Sequence, residues 1–108
     1  MQYITERYKD GNGKVPYTEW IKKLRKKDPR AASKIDIRID RAEKGNFGDH
    51  KFERDGVWEL RIDYGPGYRV YYAMDGNKII LLLTGGDKSG QKSDLDKAVQ
   101  YWRDYQQE

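Results

Sequence analysis

The sequence predicts one α+β domain over residues 1–108, in the order β-α-α-β-β-β-α, with an antiparallel sheet that carries a helical hairpin on one face. Three observations predict it. From Val57 to Met74 the side chains alternate with the period of two that marks strands. From Pro16 to Glu43 the apolar positions recur at helical spacing instead, interrupted once by Asp28-Pro29. The length of 108 residues suits a single core, burying about two-thirds of the surface that the unfolded chain exposes.

The first strand is "QYITERY", which places Tyr3, Thr5 and Arg7 on one side and Ile4, Glu6 and Tyr8 on the other; the glycines of "KDGNGK" end it. Pro16 suits a first helical turn, and Tyr17, Trp20, Ile21 and Leu24 form a stripe at i, i+3, i+4, i+7. Asp28 followed by Pro29 is a second cap-then-proline start, and Ala32, Ile35, Ile39 and Ala42 continue it until Gly45. "GNFGDHKFERDG" reads as a loop with at most a short extended piece.

"VWELRIDY" and "YRVYYAM" are two strands joined by "GPG", and "DGN" signals a hairpin into a third, "KIILLLT", apolar on both faces as a central strand would be. After "GGDKSGQK", Ser93 with Asp96 three residues on resembles a capping box for a last helix whose stripe is Leu95, Ala98, Val99 and Trp102. Tyr101 and Tyr105 lie on a neighbouring flank, where they are candidates for a partner surface.

Composition narrows the chemistry. Charged residues make up 37% and hydrophobic ones only 36%, yet three Trp, nine Tyr and two Phe supply large apolar area per residue. No run approaches the roughly 20 apolar residues of a membrane span, and the N-terminus lacks signal-peptide organisation, so a cytoplasmic location is expected. Zero cysteines remove disulfide and thiolate chemistry, no metal-ligand spacing occurs, and no cofactor is expected. The single histidine, His50, reads as a solvated loop residue.

The net charge of +4 is unevenly spread: Lys14 to Lys44 holds eleven Lys or Arg against five Asp or Glu. Lys22, Lys23, Arg25, Lys26 and Lys27 are therefore candidates for binding a polyanion such as RNA, although the same run is equally well the wet face of two helices.

If Trp58, Leu60, Val70 and Tyr72 face the helical hairpin, then Glu59, Arg61, Arg69 and Tyr71 share the opposite, open face. Guanidiniums match phosphate oxygens bidentately and stabilise charge developing on phosphorus. Lys88, in the loop after the central strand, adds a third cation. With Glu59 as base on a ribose 2′-hydroxyl, the set suits metal-free RNA cleavage, and Tyr71 or Tyr68 suits stacking on an unpaired base. Ordinary cross-strand Arg and Glu pairing on an exposed sheet is the alternative.

"WELRIDYGPGYRVYY" and "IILLLTGGDKSGQKSDLDKAVQYW" closely resemble the RelE/ParE toxin superfamily, in particular its HigB-like addiction module killer group, over roughly residues 3–105. The resemblance implies a type II toxin–antitoxin toxin: a ribosome-dependent mRNA interferase that inhibits translation. It also implies a cognate antitoxin, expected to be of helix-turn-helix type, which reaches operator DNA and carries the toxin there only through itself. The phosphate-binding residues of the family fall on Arg61, Arg69 and Lys88. Two departures stand out: Glu59 occupies the place of a Lys base, and residues 87–94 hold no Tyr or His to serve as general acid. ParE-like relatives share the fold and inhibit DNA gyrase, and an inactive phage-derived nucleic-acid or protein-binding module is a third reading.

Overall fold

A computed structural model describes residues 2–108. The elements are β1 (Ile4–Arg7), α1 (Pro16–Lys27), α2 (Pro29–Glu43), β2 (His50–Arg54), β3 (Val57–Ile62), β4 (Tyr68–Asp75), β5 (Ile79–Asp87), a 3₁₀ turn over Lys88–Gly90, and α3 (Gln91–Gln106). All five strands form one sheet in the order β1-β5-β4-β3-β2. β2 to β5 are an antiparallel meander, while β1 runs parallel to β5. The α+β class and the helical hairpin on one face are as the sequence predicts. Among the described residues no helix is long and apolar enough to cross a membrane.

The hairpin forms where expected. Pro16 and Pro29 each open a helix, and the Asp28 carboxylate accepts a hydrogen bond from Ala31 N at 3.1 Å, which satisfies one orphan donor of α2. Tyr17, Ile21 and Leu24 of α1, with Ala31, Ala32, Ile35 and Ala42 of α2, pack on Leu60, Ile62, Val70, Tyr72, Ile80 and Leu82. That cluster is the main core.

Four expectations need correction. The segment expected to be a loop contains β2, joined to β3 by Asp55-Gly56, both at positive φ (54° and 84°) as a tight two-residue hairpin requires. Its strand signal is masked by Lys51, Glu53 and Arg54. Secondly, the face opposite the hairpin is mostly covered: Ala98, Val99 and Trp102 of α3 pack on Tyr8, Val57, Tyr71, Ala73, Leu81 and Leu83 as a second core. The sheet is sandwiched, which explains why β5 is apolar on both faces.

Finally, α3 begins at Gln91 rather than after Ser93. Asp87 caps the preceding 3₁₀ turn by accepting from Ser89 N at 2.9 Å and from Ser89 Oγ at 2.5 Å. Asp96 instead pairs with Arg54 of β2, tying α3 to the sheet edge. Nor do Tyr101 and Tyr105 form a free surface. Tyr101 stacks on Tyr8 at 5.1 Å, and the Tyr105 hydroxyl donates to Asp75 at 2.6 Å.

Candidate anion-binding site

The β3–β4 register pairs Ile62 with Tyr68 and Arg61 with Arg69, so the two arginines are direct cross-strand neighbours. Between them the chain turns through Gly65-Pro66-Gly67, with Gly65 at φ 58° and Gly67 at φ 85°, and Gly67 N donates to Tyr64 O at 3.0 Å. Lys88 arrives from the end of β5 and is fastened to this turn by its own N–H, which donates to Gly67 O at 2.9 Å. Arg61, Arg69 and Lys88 then line a single groove of about 400 Å³, together with Asp49, Asp63 and residues 65–67.

Two guanidiniums facing each other repel, and each is offset by a carboxylate. Asp49 Oδ1 accepts from Arg61 Nε at 3.0 Å and Nη2 at 2.8 Å. Glu59 Oε2 lies 3.6 Å from Arg69 Nε, which is buried and makes no hydrogen bond among the described residues. Arg69 Nη1 donates to Tyr68 O at 3.1 Å. The Arg61 side chain is 37% exposed and the Arg69 side chain 13%. An anion entering the groove would meet one more exposed and one more buried guanidinium, and would have to displace Asp49 from the first.

Glu59 has a different place from the one expected. It is 1% exposed and absent from the groove wall, lying behind Arg69, so it is positioned to hold that arginine rather than to take a proton from a substrate hydroxyl. Gln91 Nε2 donates to it at 3.5 Å. Burial pushes its carboxyl up to about 7, reinforced by hydrogen bonding and charge from Glu53 and opposed by Arg69 and Arg61.

The native state therefore keeps a proton that the unfolded chain loses near 4.5, and stability gained from Glu59 is complete below that pH and lost as pH rises through about 7. Urea unfolding should show a lower midpoint at pH 8 than at pH 5. Glu59→Gln, which keeps a neutral side chain throughout, should remove most of this difference.

Tyr71 is corrected outright. It is 0% exposed, its ring belongs to the core beneath α3, and its hydroxyl donates to Gln91 O at 3.3 Å, so it cannot stack on a base. On α1, Lys22, Lys23, Lys26 and Lys27 are exposed as expected. Arg25 is exposed too, but its guanidinium is committed to Asp36 by two hydrogen bonds of 2.9 and 3.2 Å. Lys27 is near enough to Asp87 to help hold that carboxyl below its ordinary value, behind the dominant hydrogen bond from Ser89, so the basic end of α1 approaches the Lys88 turn.

The glycines of "GGDKSGQ" serve packing. A Cβ on Gly85 would overlap the Trp20 ring, and one on Gly86 would overlap the Asp94 carboxylate.

Four participants escaped the sequence reading. Asp49 and Asp63 line the groove, and Glu53 flanks Glu59. Arg38 of α2 donates to three carbonyls, Arg61 O at 2.5 Å, Phe47 O at 2.9 Å and Asp49 O at 3.0 Å, clamping the 47–49 loop onto the end of β3. Two of them left a signal: Asp63 shares the strand parity of Arg61, and Arg38 sits three residues after Ile35 and four before Ala42, on the buried flank of the helix.

Comparison with known proteins supplies a family. The profile described as phage derived protein Gp49-like matches residues 19–101. An uncharacterized protein of Haemophilus influenzae strain Rd is 49% identical over 84 residues, covering 78% of this chain and 83% of that protein.

Proposed function

We propose, for a chain that belongs to the phage-derived Gp49-like family, that it is the toxin of a type II toxin–antitoxin pair and cleaves messenger RNA at the ribosome without a metal. The observation that carries this reading is the cross-strand pair Arg61 and Arg69 lining one groove with Lys88. The resemblance of "ELR", "GPGYR" and "GGDKSGQ" to RelE-like toxins supports the same chemistry.

In the proposed reaction the ribose 2′-oxygen attacks the adjacent phosphorus in line, the bond to the 5′-oxygen of the next nucleotide breaks, and a 2′,3′-cyclic phosphate forms. Arg61 and Arg69 hold the non-bridging oxygens and stabilise the negative charge that grows on them. Lys88 stabilises the departing 5′-oxygen by its charge, and that oxygen takes a proton from water as its bond to phosphorus breaks. The 2′-hydroxyl proton passes to Asp63, the groove carboxylate that makes no ion pair among the described residues. Glu59 keeps Arg69 aimed into the groove.

Lys22, Lys23, Lys26 and Lys27 supply attachment to ribosomal RNA. Changing all four to Gln should lower the slope of log affinity against log salt by about 3, measured on purified ribosomes, because each neutralised phosphate contact contributes roughly 0.7 to 0.9. A cognate antitoxin of helix-turn-helix type, acting with the toxin in the cytoplasm, neutralises it and binds the operator DNA.

The reading is tested by inducing the chain in cells and mapping RNA 5′ ends. Growth arrest with new ends inside translated codons, absent in Arg69→Ala, is the expected result. Growth arrest with intact messages and stalled replication would transfer the chain to the gyrase-inhibiting branch, and harmless overexpression would overturn toxicity altogether.

A further inference from the structure

Buried side-chain polar atoms that make no hydrogen bond among the described residues fall in two places. Glu53 Oε2 and Arg69 Nε belong to the cluster around Glu59. Thr5 Oγ1 and Tyr17 Oη lie instead on the hairpin face at the β1 edge of the sheet, with β5 and β4 between them and β3. Orphaned atoms of this kind are rare in folded proteins and ask for a partner.

Thr5 and Arg7 share one side of β1, and both line a groove of about 260 Å³ between that strand and α2, beside Tyr17 of α1. Asp36, Asp40 and Glu43, at i, i+4 and i+7 along α2, form the opposite wall. Ile39 and Leu82 supply an apolar floor. None of these residues lines the anion groove.

The groove is acidic although it is built largely from the basic stretch Lys14 to Lys44. Three carboxylates face one guanidinium. That guanidinium, of Arg7, lies 4.9 Å over the Tyr17 ring and donates to Thr18 Oγ1 at 2.9 Å. Asp36 is engaged by Arg25 at 2.9 Å, whereas Asp40 and Glu43 make no ion pair among the described residues. Like charges at this spacing disfavour the helix that carries them, so helix stability does not account for the stripe. Tyr17 is 0% exposed, so its hydroxyl cannot turn to bulk water for the missing partner. Burial raises its pKa, opposed by Arg7 and reinforced by Asp36, so the hydroxyl keeps its proton and stands among the charges of the groove. At one end Glu43 O accepts from Tyr3 N at 2.7 Å, which ties α2 to the start of β1 and holds the two walls together.

We propose that this groove binds an organic cation rich in N–H donors, an alkylammonium or a guanidinium, between the carboxylates of Asp40 and Glu43 and the hydroxyls of Thr5 and Tyr17. Carboxylates only accept hydrogen bonds and both hydroxyls have lone pairs to spare, so the complement is a positively charged donor. A metal ion fits poorly, because no group of His, Asp and Glu among the described residues is placed to hold one and α2 spreads Asp36 to Glu43 over about 10 Å. Spaced carboxylates above an apolar floor match a charged group on a carbon stem. The exposed Arg7 side chain swings clear of the Tyr17 ring as the cation enters. The inference goes beyond the nuclease reading and stands whether or not the chain cleaves RNA.

The test titrates the purified chain with spermidine, with agmatine and with the peptide acetyl-Gly-Arg-Gly-amide, at constant ionic strength with sodium chloride as the reference, and follows Thr5 and Tyr17 by NMR. Both residues should shift and saturate at one ligand per chain with at least one of these probes, and neither should respond to sodium chloride. Asp40→Asn combined with Glu43→Gln should weaken binding about tenfold or more. Tyr17→Phe, which deletes an unpartnered hydroxyl and keeps the ring in the core, should weaken it several-fold without lowering the melting temperature. Glu6→Gln, an exposed carboxylate on the other side of β1, should leave the affinity unchanged.

Tighter binding of the free amines than of the peptide assigns the site to small polyamines, and the reverse assigns it to a basic side chain of a protein; either result upholds the site. Shifts no larger than those with sodium chloride for all three probes would overturn it, the two hydroxyls then holding only water. Equal losses in Glu6→Gln and in the Asp40→Asn, Glu43→Gln variant would overturn it as well, since the attraction would then be that of the surface at large.

Discussion

Arg69→Ala is expected to lower RNA cleavage by about 10²- to 10³-fold, the scale on which fixed donors to a developing oxyanion act, while leaving a folded protein. Two features make the loss large. Its side chain is only 13% exposed, so the charge faces the substrate with little screening by water. It is also held from behind by Glu59 and from the side by Tyr68 O, and therefore costs little to orient at the moment of reaction.

The fold survives because Glu59, deprived of its counter-charge, simply retains its proton: burial and Glu53 already hold its carboxyl up near 7. Arg69→Lys should recover only part of the activity, since an ammonium supplies the charge without the two-pronged geometry. Single-turnover cleavage on programmed ribosomes, with circular dichroism as the control for folding, measures both variants.

The second large effect falls on Arg38→Ala. Three carbonyls lose a charged donor at once, and charge-assisted hydrogen bonds contribute about 1.5 to 3 kcal/mol each. They act as one unit, so the expected loss of stability is about 3 to 4 kcal/mol rather than the sum. The consequence reaches the site, because Asp49 holds Arg61 and Asp49 is carried by the clamped loop. Hydrogen exchange should accelerate at residues 46–50 beyond the global change, and cleavage should fall more than tenfold. Arg38→Lys should restore little, since an ammonium on a single stem does not span three carbonyls.

The arginine pairing was legible because it is arithmetic of a short turn. Parity on either side of a short turn puts both arginines on one face, and the register, centred on Gly65, sets Arg61 against Arg69. Parity along the strand also put Glu59 and Tyr71 on the same face as the arginines, and so they are. Parity does not reveal what covers a face. The stripe of α3 shows that one side of that helix is buried, but nothing local shows on which side of the sheet it lands, and its landing removes Tyr71 from solvent and seals Glu59.

Asp63 lies two residues beyond Arg61 with the same parity, but Asp49 and Glu53 join the site only through the pairing of β2 with β3. No spacing rule carries that information. β2 was missed for a related reason: its charged residues read as loop, whereas its stability comes from pairing with β3 and from the Arg54–Asp96 contact to α3.

The arginine side-chain Nε–H signals, followed by NMR while a 2′-O-methyl dinucleotide is added to the purified protein, test the central claim most directly. Arg61 and Arg69 should shift together and saturate at one ligand per chain. If those two signals stay still while only lysines of α1 respond, the groove does not hold a phosphate.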